Sequence, residues 1–303
     1  MAIRTSFKFY PLILVALAGP FCRSTHAQDS TNRQSGDAVA KVQSAISMIA
    51  KGEANERQAI VSKLLEERGI ASEPVAFESD RGKGTNLRTE LSGQDQPANR
   101  WLILGAHLDR VAVGRGIIDN GCGCIALMEL STRLKAKPLP NLHVTAMYFD
   151  LEERGLLGSK AFAKTLDPKP MAYLNLDVFA YGRQMWLHTA DENDPFVSIA
   201  KKVDESSPLS LEHGLKYPPS DHLSFRGEKI YAMSYSLLPP DEVKEVESMF
   251  DGQKIRPKIL ATIHTPEDQP EKAVPQDILD GVDFLEKNLR AWAEEGAKTG
   301  KVE

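Results

Sequence analysis

The chain has 303 residues, with 37 Lys+Arg against 42 Asp+Glu for a formal charge of −5, 42% hydrophobic residues and 26% charged ones. These are globular values, and with only 3 Cys they exclude wholesale disorder, a collagen-like repeat and a disulfide-stapled miniprotein. A mildly acidic chain without a long basic run has no electrostatic reason to seek nucleic acid.

Arg4 and Lys8 precede an apolar stretch from Tyr10 to Ala18, and small and polar residues then lead to Thr25-His26-Ala27. This pattern predicts a secretory signal over residues 1–27, removed after Ala27. Its apolar run is shorter than the roughly 20 residues that span a bilayer. Cleavage removes Arg4, Lys8 and Arg23 and no acid, which takes the formal charge from −5 to −8. The expected location is therefore secreted or periplasmic. Residues 28–37 are polar and read as a flexible lead-in, residues 38–293 as a single domain, and 294–303 as a charged tail.

Helices are predicted over Val39–Ala50 and Arg57–Arg68, the second with Ile60, Val61, Leu64 and Leu65 at helical spacing and Gly69 as its C-cap. Strand-like runs follow at Val75–Phe77, Asn86–Leu91 and Trp101–Ala106. The last is continuously apolar, as a strand covered on both faces requires. Elements then alternate: helix Gly121–Leu134, strand His143–Phe149, helix Leu156–Leu166, strands Met171–Leu176 and Gln184–His188, helix Asp194–Ser206, strand Lys229–Tyr235 and helix Val274–Trp292. That alternation predicts an α/β fold, with a mixed, mostly parallel central sheet and helices on both faces.

Ligands in open α/β sheets gather at the carboxyl ends of strands. There the chain places His107-Leu-Asp109, Asp119-Asn120 at the mouth of a helix, Glu152-Glu153 and Asp177, and later Ile263-His264-Thr265-Pro266-Glu267-Asp268. Each has an ordinary explanation alone, since Glu-Glu pairs are mostly solvated surface and Asp-Asn-Gly is a common turn. Together they offer two His and three carboxylates, a set that suits two zinc ions sharing a bridging carboxylate, with a further carboxylate free for proton transfer. Cys122 and Cys124 are too close in sequence for a comfortable disulfide and form a weak zinc pattern, so they read as small side chains packed where a loop enters a helix. His143 and His188 read as strand histidines and His213 as lying in a polar loop, solvated or satisfied. His222 reads as a structural hydrogen bonder near the cleft. Trp101, Trp186 and Trp292 read as core.

The runs Gly105-Ala-His-Leu-Asp-Arg-Val111, Asp119-Asn-Gly121, Phe149-Asp-Leu-Glu-Glu-Arg-Gly-Leu-Leu-Gly-Ser159, Asn175-Leu-Asp177, Ser220-Asp-His-Leu-Ser-Phe225 and Ile263-His-Thr-Pro-Glu-Asp268 resemble the M28 zinc aminopeptidases, over roughly residues 55–290. The resemblance implies a three-layer zinc exopeptidase-like fold and an aminopeptidase acting on peptides with a free N-terminus. It implies one Zn2+ on His107, Asp119 and Asp177 and a second on Asp119, Glu153 and His264. Glu152 would be the general acid/base, and Asp109 would orient the His107 imidazole by accepting its other N–H. It further implies a non-proline cis peptide at Asp119–Asn120 and an oxyanion-stabilising hydroxyl at Tyr217. The chain departs from the family at Arg110, where Ser is usual, at Ile117-Ile118, and at Cys122 and Cys124. Three other readings stand beside it: a single-zinc glutaminyl cyclase-like acyltransferase, a carboxypeptidase or amidohydrolase of the same fold, and a metal-free binding ectodomain. Ile263 and the lack of a Trp beside His264 weigh against the cyclase, and the complete ligand set weighs against the ectodomain.

Overall fold

The computed structural model describes residues 24–92, 96 and 98–299. The export segment expected over residues 1–27 lies outside them up to residue 23, and so does the end of the expected tail, residues 300–303. The chain divides into two units, Met1–Asp37 and Ala38–Glu303. Residues 28–37, expected as a flexible lead-in, have helical backbone instead, because helix α1 is Ser24–Lys51. No proline interrupts that stretch, so nothing in it forbids the helix. Within the second unit α1 buries Val42, Ala45, Ile46 and Ile49, a spacing that puts all four on one face.

The strands are β1 (Glu73–Ser79), β2 (Gly82–Ser92), β3 (Trp101–His107), β4 (His143–Phe149), β5 (Ala172–Phe179), β6 (Gln184–His188), β7 (Ser210–Gly214) and β8 (Ala232–Leu238). Among the described residues they form one sheet in the order β1-β2-β4-β3-β5-β8-β6-β7. The four central strands β4, β3, β5 and β8 are parallel to one another. Antiparallel pairings join β1 to β2, β2 to β4 and β6 to β8, while β7 runs parallel to β6.

Successive residues on a strand face opposite sides, and the central strands are apolar on both. Leu102, Leu104 and Ala106 of β3, with Val144, Ala146 and Tyr148 of β4 and Leu174 and Leu176 of β5, enter the larger core. The helices on that side are α2 (Arg57–Glu67), α3 (Cys122–Ala136), α5 (Pro195–Asp204) and α8 (Pro275–Thr299). Ile103, Met147, Phe149 and Tyr173 enter a smaller core beneath α4 (Leu157–Lys164) and α6 (His222–Gly227). There the Tyr173 and Phe225 rings stack with centroids 3.7 Å apart. Helix α7 (Pro240–Phe250) buries Val243 and Val246 in the larger core. The architecture is the expected one, a mixed and mostly parallel sheet between two helical layers.

Three elements were not anticipated: β7, α6 and α7. Strand β7 is a five-residue edge strand, partly exposed along most of its length, so it lacks the apolar alternation of a covered strand. His213 therefore lies in a strand and not in a polar loop, with its Nε2 2.8 Å from Thr189 Oγ1. Helix α8 also runs past the expected tail boundary, to Thr299.

Candidate metal centre

Strands β4, β3 and β5 are adjacent and parallel, so their carboxyl ends open on the same edge of the sheet. That topology brings together residues separated by up to seventy positions. His107 is the last residue of β3, Glu152 and Glu153 occupy the turn after β4, and Asp177 sits in β5.

Asp177 is aimed by a break in the ladder. The β5–β8 register shifts between Leu176 and Phe179, and Val178 has a positive φ of 52°. Such a bulge bends the strand and redirects side chains, commonly beside active sites.

Asp119 belongs to a single irregular turn, Ile117–Gly121, that leads into α3, and the Asp119–Asn120 peptide is cis. Asp268, more than 140 residues away in sequence, holds this turn. Its Oδ1 accepts the Ile117 and Ile118 N–H at 2.8 Å each, and its Oδ2 accepts the Asp119 N–H at 3.1 Å. Asn120 donates from Nδ2 to the Leu176 carbonyl at 2.8 Å, which ties the turn to β5. Just upstream, Gly116 has φ 57°, and a Cβ there would meet Arg110 at 2.6 Å, so glycine is required. Arg57, buried in α2, donates to the Gly116 carbonyl at 2.8 Å and also to that of Arg115.

The ligand atoms converge. His107 Nε2 lies 3.0 Å from Asp119 Oδ1 and 3.5 Å from Asp177 Oδ1. His264 Nε2 lies 3.0 Å from Asp119 Oδ2 and 2.9 Å from Glu153 Oε2. Among the described residues, these are the two groups whose ligand atoms lie within 4.8 Å of one another: His107, Asp119 and Asp177, and Asp119, Glu153 and His264. They are the two sets the resemblance implied, and Asp119 belongs to both.

The electrostatics show a site crowded with negative charge. Burial alone would lower the His107 pKa, but Glu152, Asp109, Asp119 and Asp177 together raise it well above the ordinary imidazole value. Asp119 and Glu153 raise His264 to about 10. Burial would raise Asp119, yet the two imidazoles hold it far below the usual carboxylate range. Glu152 is raised strongly, first by burial and then by Asp221, Asp177 and Asp119, against the pull of His107. Asp177 Oδ1 and Glu153 Oε1 are buried without a hydrogen-bond partner. Orphaned carboxylate oxygens beside imidazole nitrogens are the donor chemistry zinc takes, so the residues fit that ion.

Asp109 stands beside the His107 imidazole, as the resemblance implied, and also serves the main chain. Its Oδ1 lies 3.3 Å from His107 Nδ1, but the pair is not aligned as a hydrogen bond. Its well-formed bonds go to the main chain: Oδ1 accepts the Glu152 N–H at 3.0 Å and Oδ2 the Glu153 N–H at 3.1 Å. It links the end of β3 to the turn after β4. Asp109→Asn leaves one of those N–H groups facing an amide NH2. We expect it to lower zinc affinity about tenfold. Chelator competition checks this, and unchanged zinc retention would show that the turn does not need Asp109.

The candidate oxyanion donor, Tyr217, borders the same cleft, but its hydroxyl lies 2.5 Å from Ser236 Oγ and 3.4 Å from the Asp177 carbonyl. Arg110 turns inward and donates to the carbonyls of Val111 and Gly114, so it fastens its own loop. Ile117 and Ile118 are core residues. Cys122 and Cys124 are buried free thiols whose pKa values burial raises, Cys124 to about 12, and Cys124 donates to the His107 carbonyl at 3.1 Å. They pack and do not ligate.

His143 lies 2.7 Å from Glu90 and stacks on Trp101. His222, expected to make a structural hydrogen bond, has a buried Nδ1 with no partner and packs edge-on against His188 and Tyr217 instead. Trp186 is buried as expected, and it also forms a wall of the cleft. Nothing in the sequence marks Arg57 or Ser236 as site residues. Asp268 carries a trace, as the last residue of the His-Thr-Pro-Glu-Asp run.

His188 is drawn down to about 4 by burial and by Arg226, and His222 to about 3 by burial, Arg226 and His188. Unfolded, both would titrate near about 6.5, so between there and about 4 the unfolded chain binds more protons than the folded one. The contribution of these two histidines to stability therefore falls as the pH drops through that window. The difference in denaturant midpoint between the wild-type chain and His188→Gln, followed over several pH values, tests it: the gap should change through that window, and a constant gap would count against it.

The cleft has a volume of about 690 Å3. Its lining combines the ligand groups and Glu152 with apolar side chains, among them Trp186, Leu223, Leu238, Val246, Ile259 and Ile263.

The sequence pattern of peptidase family M28 matches residues 86–284. Leupeptin-inactivating enzyme 1 of Streptomyces exfoliatus is 34% identical over 136 residues, which is 43% of this chain and 31% of that protein. An aminopeptidase of Pseudomonas aeruginosa is 43% identical over 84 residues, 26% of this chain and 16% of its own length. The match thus spans less than a third of either curated relative. Among solved structures, the LapA aminopeptidase of Legionella pneumophila superposes with a TM-score of 0.65 at 18% identity, covering 95% of this chain and 80% of that one. A glutaminyl cyclase of Porphyromonas gingivalis gives 0.62 at 16% identity, covering 83% and 96%. These two likenesses speak to the fold. Because the matched span runs from β2 into α8 and contains every element that delivers a ligand atom, the chain belongs to peptidase family M28.

Proposed function

We propose that the protein is an exported aminopeptidase that holds two zinc ions and removes apolar N-terminal residues from peptides. The observation that carries this reading is the position of Asp119, with one carboxylate oxygen 3.0 Å from the nitrogen of His107 and the other 3.0 Å from that of His264. A carboxylate so placed can bridge two ions, with Asp177 completing one set and Glu153 the other. Zinc bound there would polarise the scissile carbonyl and acidify a water.

Glu152 belongs to neither ligand set and faces the same cleft. It takes the proton of the attacking water and passes it to the leaving amine. The crowded carboxylates suit the substrate's N-terminal ammonium. The apolar part of the lining suits an aliphatic or aromatic first side chain, in keeping with a relative from Trichophyton rubrum named leucine aminopeptidase 2, 38% identical over 97 residues. Export rests on the N-terminal charge and apolar pattern; among the described residues no helix is long and apolar enough to cross a membrane.

Two alternatives remain outcomes of the test. A carboxypeptidase needs a cation for the substrate carboxylate. Among the described residues lining the cleft, the one Lys or Arg is Lys160, whose Nζ already donates to the Gly155 carbonyl at 3.0 Å. A cyclase would hold one zinc and release ammonia from peptides beginning with Gln.

Zinc counting on the mature chain, with matched peptides bearing free and acetylated N-termini, decides among them. Two ions per chain and cleavage of the free peptide only are expected. Equal cleavage of the acetylated peptide would overturn the aminopeptidase reading, and a single ion would overturn the bridging role of Asp119.

A further inference from the structure

We propose that Ser236 and Tyr217 are positioning residues for the metal ligand Asp177, and that the Tyr217 hydroxyl is committed to this task and does not serve as an oxyanion donor. The inference rests on the two-ion reading above.

It begins at the bulge in β5. Between Leu176 and Phe179 the β5–β8 pairing loses its register, and Asp177 has no Cα partner on β8. A bulge of this kind leaves a main-chain group without its ladder partner, and a buried carbonyl must find another donor. The side chain of Ser236, on β8, provides it: Ser236 Oγ donates to the Asp177 carbonyl at 2.5 Å. With that proton used, Ser236 Oγ is an acceptor toward Tyr217, whose hydroxyl lies 2.5 Å away. Tyr217 thus donates into the pair, and the same hydroxyl is 3.4 Å from the Asp177 carbonyl.

The tyrosine ring is held in place. It stacks on His188, with centroids 5.3 Å apart and planes 14° from parallel, meets Trp186 at 4.8 Å with planes tilted by 45°, and meets His222 at 5.5 Å nearly edge-on. His188 is fixed in turn, with Nδ1 3.0 Å from the Gly214 carbonyl and Nε2 2.8 Å from Arg226 Nη1. Arg226 can only donate, so Nε2 is the acceptor and Nδ1 carries the hydrogen given to Gly214. Swinging the Tyr217 hydroxyl toward a reacting carbonyl would break the bond to Ser236 and disturb that stack.

The main chain of Asp177 is therefore fastened at the residue whose Oδ1 faces His107. Asp177 belongs to only one of the two ligand sets, so loosening it should affect one ion and not the other. This asymmetry separates a positioning role from a general packing role.

The test is zinc retention by the mature full-length chain, titrated against a chromophoric chelator, with kcat and KM measured on the same samples. The wild type should release its two ions in a reference order. Ser236→Ala is expected to lose one ion at about tenfold lower chelator strength while the other is held as before. Ser236→Thr, which keeps the hydroxyl, should restore it. Tyr217→Phe should shift the same ion in the same direction by a smaller factor.

The proposal is overturned if Tyr217→Phe lowers kcat with both ions retained at wild-type affinity, because that is the result for an oxyanion donor. It is overturned equally if Ser236→Ala weakens both ions together, which marks a packing defect, or neither. A wild-type chain that binds no second zinc would refute the two-ion reading itself, an outcome visible before any variant is compared.

Discussion

Glu152→Gln is expected to keep both zinc ions and to lower kcat by about 10²- to 10⁴-fold, the range a positioned acid/base contributes. The substitution changes little in shape and, among the described residues lining the cleft, removes the one acidic side chain that is in neither ligand set. The turn that carries it should persist, because Asp109 grips the main-chain N–H of residues 152 and 153 and not their side chains. KM should change little, since the lost interaction matters when a proton is moving. The measurement is steady-state hydrolysis of an aminoacyl substrate with zinc content determined on the same sample. Near-wild-type turnover would remove Glu152 from the mechanism, whereas lost activity together with lost zinc would assign it a ligand role.

Asp268→Asn should have the largest effect of any change outside the ligand sets. Three main-chain N–H groups converge on this buried carboxylate from Ile117, Ile118 and Asp119. An asparagine offers one acceptor oxygen and an NH2 group, so at least one buried N–H is left facing a donor. Hydrogen bonds to a charged acceptor contribute about 1.5–3 kcal/mol, and an unsatisfied buried donor costs about 1–3 kcal/mol. We expect a loss of roughly 2–4 kcal/mol of stability and a 10- to 100-fold loss of zinc affinity, as for other residues that orient ligands. A lower denaturant midpoint at constant m-value, with zinc released at lower chelator concentration, is the expected result. An unchanged midpoint would mean that the Asp119 turn is held by Asn120 and Arg57 without help.

The two variants divide the centre into what reacts and what holds it in shape, and these differ in how legible they were in the sequence. His107, Glu152, Glu153 and Asp177 each end, follow or adjoin a recognisable strand, and Asp119 stands at the mouth of a helix, so these positions were legible one by one. His264 needed the motif around it, because it stands in a loop with a positive φ of 57° and no strand before it. The supporting residues had no such trace. Ser236 is an ordinary serine of an apolar strand, and it matters because the bulge opposite leaves a carbonyl without a partner. Arg57 reads as a polar residue at the start of a helix, yet it is 1% exposed and its guanidinium fastens the loop before Asp119. Tyr217 enters through the family resemblance, which says nothing about where its hydroxyl points in this chain.

Some properties were settled by residue types and their periods alone. Continuous apolar runs called for strands covered on both faces, their alternation with helical patterns called for a layered α/β sheet, and the His and carboxylate positions offered a donor set that suits zinc. Other properties depended on long-range contact. The grip of Asp268 on the Asp119 turn, the bonds from Asp109 to the main chain at Glu152 and Glu153, and the use of the Tyr217 hydroxyl all join residues distant in the chain. Local sequence reports which conformation a segment prefers. Which buried N–H or carbonyl lacks a partner, and which distant side chain supplies it, is decided only when the sheet has assembled and its strands have taken their register.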